Sequence, residues 1–117
     1  MSGQTFKISL SPNPLTASDT QAWQGASGNI YALRVVSVER FVLGDFHAYL
    51  LANAGQAIWV GTARDVIDDQ ISRSQFRRAI SKATSAFELD MPRDEHQRLL
   101  LLADLETGHP VRQLSAA

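Results

Sequence analysis

Residues 56–87 constrain this chain more than any other stretch, because they read strand, tight turn, helix without a break. Ala57-Ile58-Trp59-Val60 is apolar and rich in β-formers. Gly61-Thr62 follows as a turn, and Thr62-Ala63-Arg64-Asp65 fits a capping box with Asp in the place of Glu or Gln. Ala63, Val66, Ile67 and Ile71 then recur at helical spacing. Ser72-Arg73-Ser74-Gln75 supplies a second capping box, so two helical segments are expected up to about residue 86. In the second segment Phe76, Ala79, Ile80, Ala83 and Phe87 fall on one face.

The flanks are read around that unit. Residues 5–10 alternate, with Phe6, Ile8 and Leu10 on one side, and predict a half-buried strand. Residues 11–29 form the longest segment without a strong pattern and are expected to be a long loop or partly ordered arm. Within it, Ser18 caps a short helical stretch through Gln24, with Gly25 as its stop. Residues 30–43 have strand composition. Residues 46–52 follow as a strand, preferred to a helix over 45–53 because turn residues bracket them. Residues 53–56 close a hairpin into 57–60, and the three strands are expected to form an antiparallel meander. Phe87-Glu88-Leu89-Asp90 alternates as a short strand. The leucine run in 97–105 is read as a buried strand, followed by a turn and a last strand through Leu114.

The fold class that results is α+β: four to six antiparallel strands in one curved sheet, with a helical pair packed on one face, in a single domain over 1–117. One helical layer leaves the second sheet face bare, and a twofold homodimer is the simplest way to cover it.

Composition limits what such a domain can do. The net charge is −1, so any attraction to nucleic acid or an anionic membrane must come from a local patch. The absence of cysteine removes disulfides, thiolate catalysis and zinc–thiolate sites, and fits a reducing cytoplasm. No apolar run approaches the ~20 residues of a membrane span, and residues 1–7 lack a secretory pattern. A soluble, cytoplasmic protein is expected.

Four groups of residues are candidates for function. Arg73, Arg77, Arg78 and Lys82 lie in 72–86 with no acidic residue among them, and miss the apolar stripe. With Ser74 and Ser81 between them and Ser85 just beyond, they suit phosphate contacts, or a protein partner. An acidic region follows, with Glu88, Asp90, Asp94, Glu95, Asp104 and Glu106. The two regions either steer association with a partner or screen each other within one molecule. The turn at Gly61-Thr62 is read as plain capping rather than an anion site, since it has one glycine and is followed by Asp65, Asp68 and Asp69. Asp45, His47, His96 and His109 carry no spacing that demands a metal or an acid–base pair. Among the aromatics, Trp59 reads as core and Trp23 as a partly exposed interface anchor.

With no catalytic motif, no metal site and no cofactor implied, the first expectation is a non-enzymatic protein-binding or accessory module working through a self- or partner interface. A nucleic-acid-associated protein using the face 73–82 comes second. A small-ligand-binding or enzymatic domain comes third.

Overall fold

The computed structural model describes residues 19–111. The strand expected over 5–10 lies outside them, as does most of the last strand. The described chain is α+β, a six-stranded antiparallel sheet with three helices. In chain order these are β1 (Thr20–Gln24), β2 (Ile30–Val36), β3 (His47–Asn53), β4 (Gln56–Thr62), α1 (Ala63–Asp68), α2 (Gln70–Lys82), β5 (Ser85–Asp90), α3 (Glu95–Glu106) and β6 (His109–Pro110). The strand order is β4-β3-β5-β2-β1-β6.

The hairpin expected around 53–56 forms between β3 and β4. Its two central residues, Ala54 and Gly55, have φ of 51° and 82°. Positive φ at both positions is what a two-residue hairpin turn needs to match strand twist. Residues 47–53 are strand, as preferred, and Ala48 to Ala52 are all buried. Thr62 caps α1 through the expected box. Its hydroxyl accepts from Asp65 N at 3.2 Å, and Asp65 Oδ2 accepts from Thr62 N at 2.9 Å.

Three local expectations are corrected. The cap of α2 is Asp69, not Ser72. Asp69 Oδ1 accepts from Ile71 N at 3.0 Å, and Asp69 is the single extended residue between the two helices. A carboxylate at the N-cap also favours the positive end of the helix dipole. The described part of 11–29 carries β1 in place of a helix or a loop. Its register with β2 pairs Trp23 with Tyr31. Residues 95–106 are a helix rather than a strand. Asp94 caps it by accepting from Gln97 N at 2.9 Å. Only Leu101, Leu102 and Leu105 of its apolar residues face the core, while Leu99 and Leu100 are exposed.

The meander is interrupted as well. β3 and β4 are neighbours, but β5 lies between β3 and β2. The α1–α2 unit carries the chain from β4 past β3, so that β5 adds on the other side of β3. Phe87 and Leu89 of β5 point to one face and Ala86 to the other, and all three are buried, as a central strand requires.

Two cores follow, one on each face. On the first, α1 and α2 pack Val66, Phe76, Ala79, Ile80 and Ala83 against Tyr49, Leu51, Trp59 and Ala86. The rings of Phe76 and Trp59 meet edge to face at 5.0 Å. On the second, α3 packs Leu101, Leu102 and Leu105 against Trp23, Leu33, Leu50, Phe87 and Leu89. The sheet curls around α3, bringing the β3–β4 turn to β6 although they sit at opposite ends of the strand order. A Cβ placed on Gly55 would lie 3.8 Å from Pro110 Cγ. The second face is therefore covered by the chain's own helix, and no bare face is left for a second copy to cover. No helix among the described residues is long and apolar enough to cross a membrane.

Candidate functional site

The curl leaves β4 at an edge, hydrogen-bonded among the described residues to β3 alone. An edge strand turns alternate N–H and C=O groups outward. No hydrogen bond outside the ladder with β3 reaches the backbone of residues 56–60 from any described residue. A groove of about 680 Å³ runs along this edge. Its floor is formed by residues 56–60, its near wall by Ser72, Gln75, Arg78, Ala79 and Lys82 of α2, and its far side by Glu106 of α3.

The wall is held in place from both ends. At one end the Thr62–Asp65 box fixes the exit from β4 into α1. Gly61 is glycine for space there, since a Cβ would sit 2.7 Å from the Trp59 ring. Because Asp65 already occupies the helix start, that turn works as a cap. At the other end Asn53 Nδ2 donates to Lys82 O at 2.6 Å, and Thr84 N donates to Ala52 O at 2.8 Å. These bonds tie the last turn of α2 to the β3–β4 hairpin. Trp59 and Ala79, both buried, fill the space beneath, so the groove is a surface channel over a packed core.

The four cations expected to act together are divided. Arg73 closes α1: its Nε donates to Val66 O at 2.9 Å and its guanidinium to Ile67 O at 2.8 Å, satisfying carbonyls that a helix end leaves open. Arg77 is exposed and outside the groove lining. Arg78 and Lys82 line the groove, and neither side chain has an ion-pair or hydrogen-bond partner among the described residues. Trp23, expected as a partly exposed anchor, is 1% exposed and packs against Phe87 with ring centres 5.8 Å apart and planes tilted by 51°. It is core, and its indole N–H finds no acceptor among the described residues. The polar setting of its neighbours in sequence masked this, because β1 buries one face only.

The acidic region is engaged elsewhere and forms no ion pair with α2 among the described residues. Glu88 and Asp90 bind Arg34 at 3.0 and 3.1 Å, and Asp90 also meets His47 Nε2 at 3.3 Å. Asp94 caps α3. Asp104 accepts from Tyr31 Oη at 2.6 Å, from Ser27 N at 2.6 Å and from Ser27 Oγ at 2.8 Å. The Tyr31 hydroxyl first, then the Ser27 amide, hold the Asp104 carboxyl below its usual range. Partial burial, and after it the bond to Asp104, push the Tyr31 phenol up. This cluster sews the 25–29 turn to α3, and Gly25 must lack a Cβ because one would fall on the Asp104 carboxylate.

The histidines do not converge. His47 sits in β3, His96 in the first turn of α3 and His109 in β6. No group of three His, Asp or Glu side chains able to hold a metal occurs among the described residues. That the strand at 57–60, Gln75 and Glu106 meet along one groove was not legible from sequence, since which strand lies at the edge depends on long-range pairing. Compared with known protein families, with curated proteins and with solved structures, the chain finds no match.

Proposed function

We propose that this protein is a small non-enzymatic binding module that captures an extended segment of a partner protein by strand addition to β4. The observation that carries the reading is the groove itself, an unpaired strand edge walled by a rigidly held helix. Strand addition draws affinity from main-chain bonds and specificity from alternate side chains, and needs just such an edge beside a lined wall. A second copy of the chain is a poorer occupant. The ladder with β3 shifts register between Leu51 and Ala52, which bulges β4 around Ile58 and spoils its match to another flat edge. A single flexible segment can follow the bulge. The lack of cysteine fits a cytoplasmic place of work.

The nucleic-acid reading is weakened by Arg73, whose guanidinium is spent within the fold. The three remaining cations of 73–82 would give weak binding with a shallow salt dependence.

The test is to titrate capped hexapeptides of alternating Val and polar residues into labelled protein while following backbone amide shifts. Shifts confined to 56–60 and the facing side of α2 are expected, and Gln75→Trp, a substitution at an exposed position that fills the channel, should abolish them. Shifts centred elsewhere, or binding indifferent to Gln75→Trp, would overturn the proposal.

A further inference from the structure

We infer that the groove selects segments carrying acidic side chains at alternate positions, acid–x–acid, with x not acidic. This rests on the strand-addition reading and adds the chemistry of the bound segment. Arg78 and Lys82 are four residues apart on α2 and both line the channel. Four helical residues advance about 6 Å, and two strand residues advance about 6.6 Å. A strand laid along β4 therefore presents residues i and i+2 to the same wall at nearly the spacing of the two cations. The match holds for either direction of the segment, because the pattern is symmetric.

The cations are available for this. Arg34 is held by Glu88 and Asp90, and Arg73 by two carbonyls, whereas Arg78 and Lys82 have no side-chain partner among the described residues. The intervening side chain x points away from α2, since side chains alternate across a strand. On that side stands Glu106, which repels an acid at x and favours a neutral or basic residue. The same charges disfavour a twofold pairing of β4 with its own copy, which would bring two sets of Arg78 and Lys82 together.

The experiment measures fluorescence anisotropy for three labelled, capped hexapeptides, alternating Glu–Val, Gln–Val and Lys–Val. Two partly exposed ion pairs should make Glu–Val bind about 3- to 10-fold tighter than Gln–Val, with Lys–Val weakest. In 1 M salt, where screening acts over about 3 Å, the preference should vanish while residual binding persists. In the Arg78→Glu, Lys82→Glu double variant the order should reverse, and circular dichroism should show the fold unchanged. Equal affinity for the three peptides, with binding still blocked by Gln75→Trp, overturns the acidic preference and leaves strand addition standing. Absence of binding by all three overturns both. Tighter binding of a ten-residue oligothymidylate that competes with the peptides would assign the groove to single-stranded nucleic acid instead. A dimer in sedimentation that Gln75→Trp dissociates would assign it to a second copy.

Discussion

The helices α2 and α3 lie on opposite faces of one sheet and spend their polar residues differently. α3 lies inside the curl, and Asp104, at its inward edge, has three donors within 2.8 Å. α2 lies on the outer face and has two cations over a channel with nothing bound to them among the described residues. Both helices bury an apolar stripe of similar kind. The difference lies beside the stripe: the polar edge of α3 meets the 25–29 turn, whose donors close on Asp104, whereas Arg78 and Lys82 of α2 stand over the groove with no partner among the described residues. Charge that meets a turn of the chain is absorbed into the fold, and charge over an open groove stays available.

Breaking the α3 side should cost stability, and breaking the groove side should cost binding. The largest effect is expected for Trp23→Ala, which empties a buried site between β1 and Phe87. It should cost about 3–5 kcal/mol and lower the melting temperature by upwards of about 10 °C. A near-native melting temperature with lost peptide binding would instead return Trp23 to an interface role.

Next comes Asp104→Asn, expected to cost on the order of 1 kcal/mol at neutral pH, since it weakens charge-assisted bonds at a half-exposed site. The pH dependence has a definite sign. The folded protein holds the Asp104 carboxyl below its ordinary range, so the native state binds that proton more weakly than the unfolded chain. Its contribution is present above about pH 4 and is lost as pH falls through the lowered value. Tyr31, shifted up, contributes below about pH 10 and loses its part as pH rises beyond that. Melting temperature against pH should therefore fall on the acid side in the wild type, and fall less steeply in Asp104→Asn.

Thr62→Ala removes the cap of α1 and one of the two ties of the groove wall; it should cost about 1 kcal/mol and weaken peptide affinity by a small factor only, as read in denaturant titration and anisotropy. The smallest effect on stability belongs to the Arg78→Ala, Lys82→Ala pair. Within about 0.5 kcal/mol of wild type in denaturant, it should nevertheless lose the preference for Glu–Val over Gln–Val. A fall of 2 kcal/mol or more would mean that these side chains belong to the fold, and the contrast between α2 and α3 would dissolve.

How far the sequence revealed this follows from range. The β3–β4 hairpin and the Thr62 box rest on neighbours in the chain and formed where local chemistry put them, whereas the strand expected at 87–90 begins at Ser85, because α2 stops at Lys82 rather than near residue 86. α3 is disguised in the sequence because two of its four consecutive leucines are exposed, which fills in the helical period and imitates a buried strand. The pattern Asp94 to Gln97 was the available corrective, an N-cap acid three residues before an amide. The burial of Trp23 is not legible locally because it depends on α3 and β5 arriving from far along the chain. Arg78 and Lys82 were legible as a basic face. That Arg73 closes α1 and that β4 is an edge were not, because both depend on how α1, β5 and the curl are placed.

The claim that β4 is a docking edge is tested most directly by amide hydrogen exchange at residues 56–60, with and without saturating Glu–Val hexapeptide. Added strand pairing should slow the outward-facing amides of β4 and leave the inward ones, already bonded to β3, unchanged. Saturated peptide with no slowing at any of these amides would contradict the account.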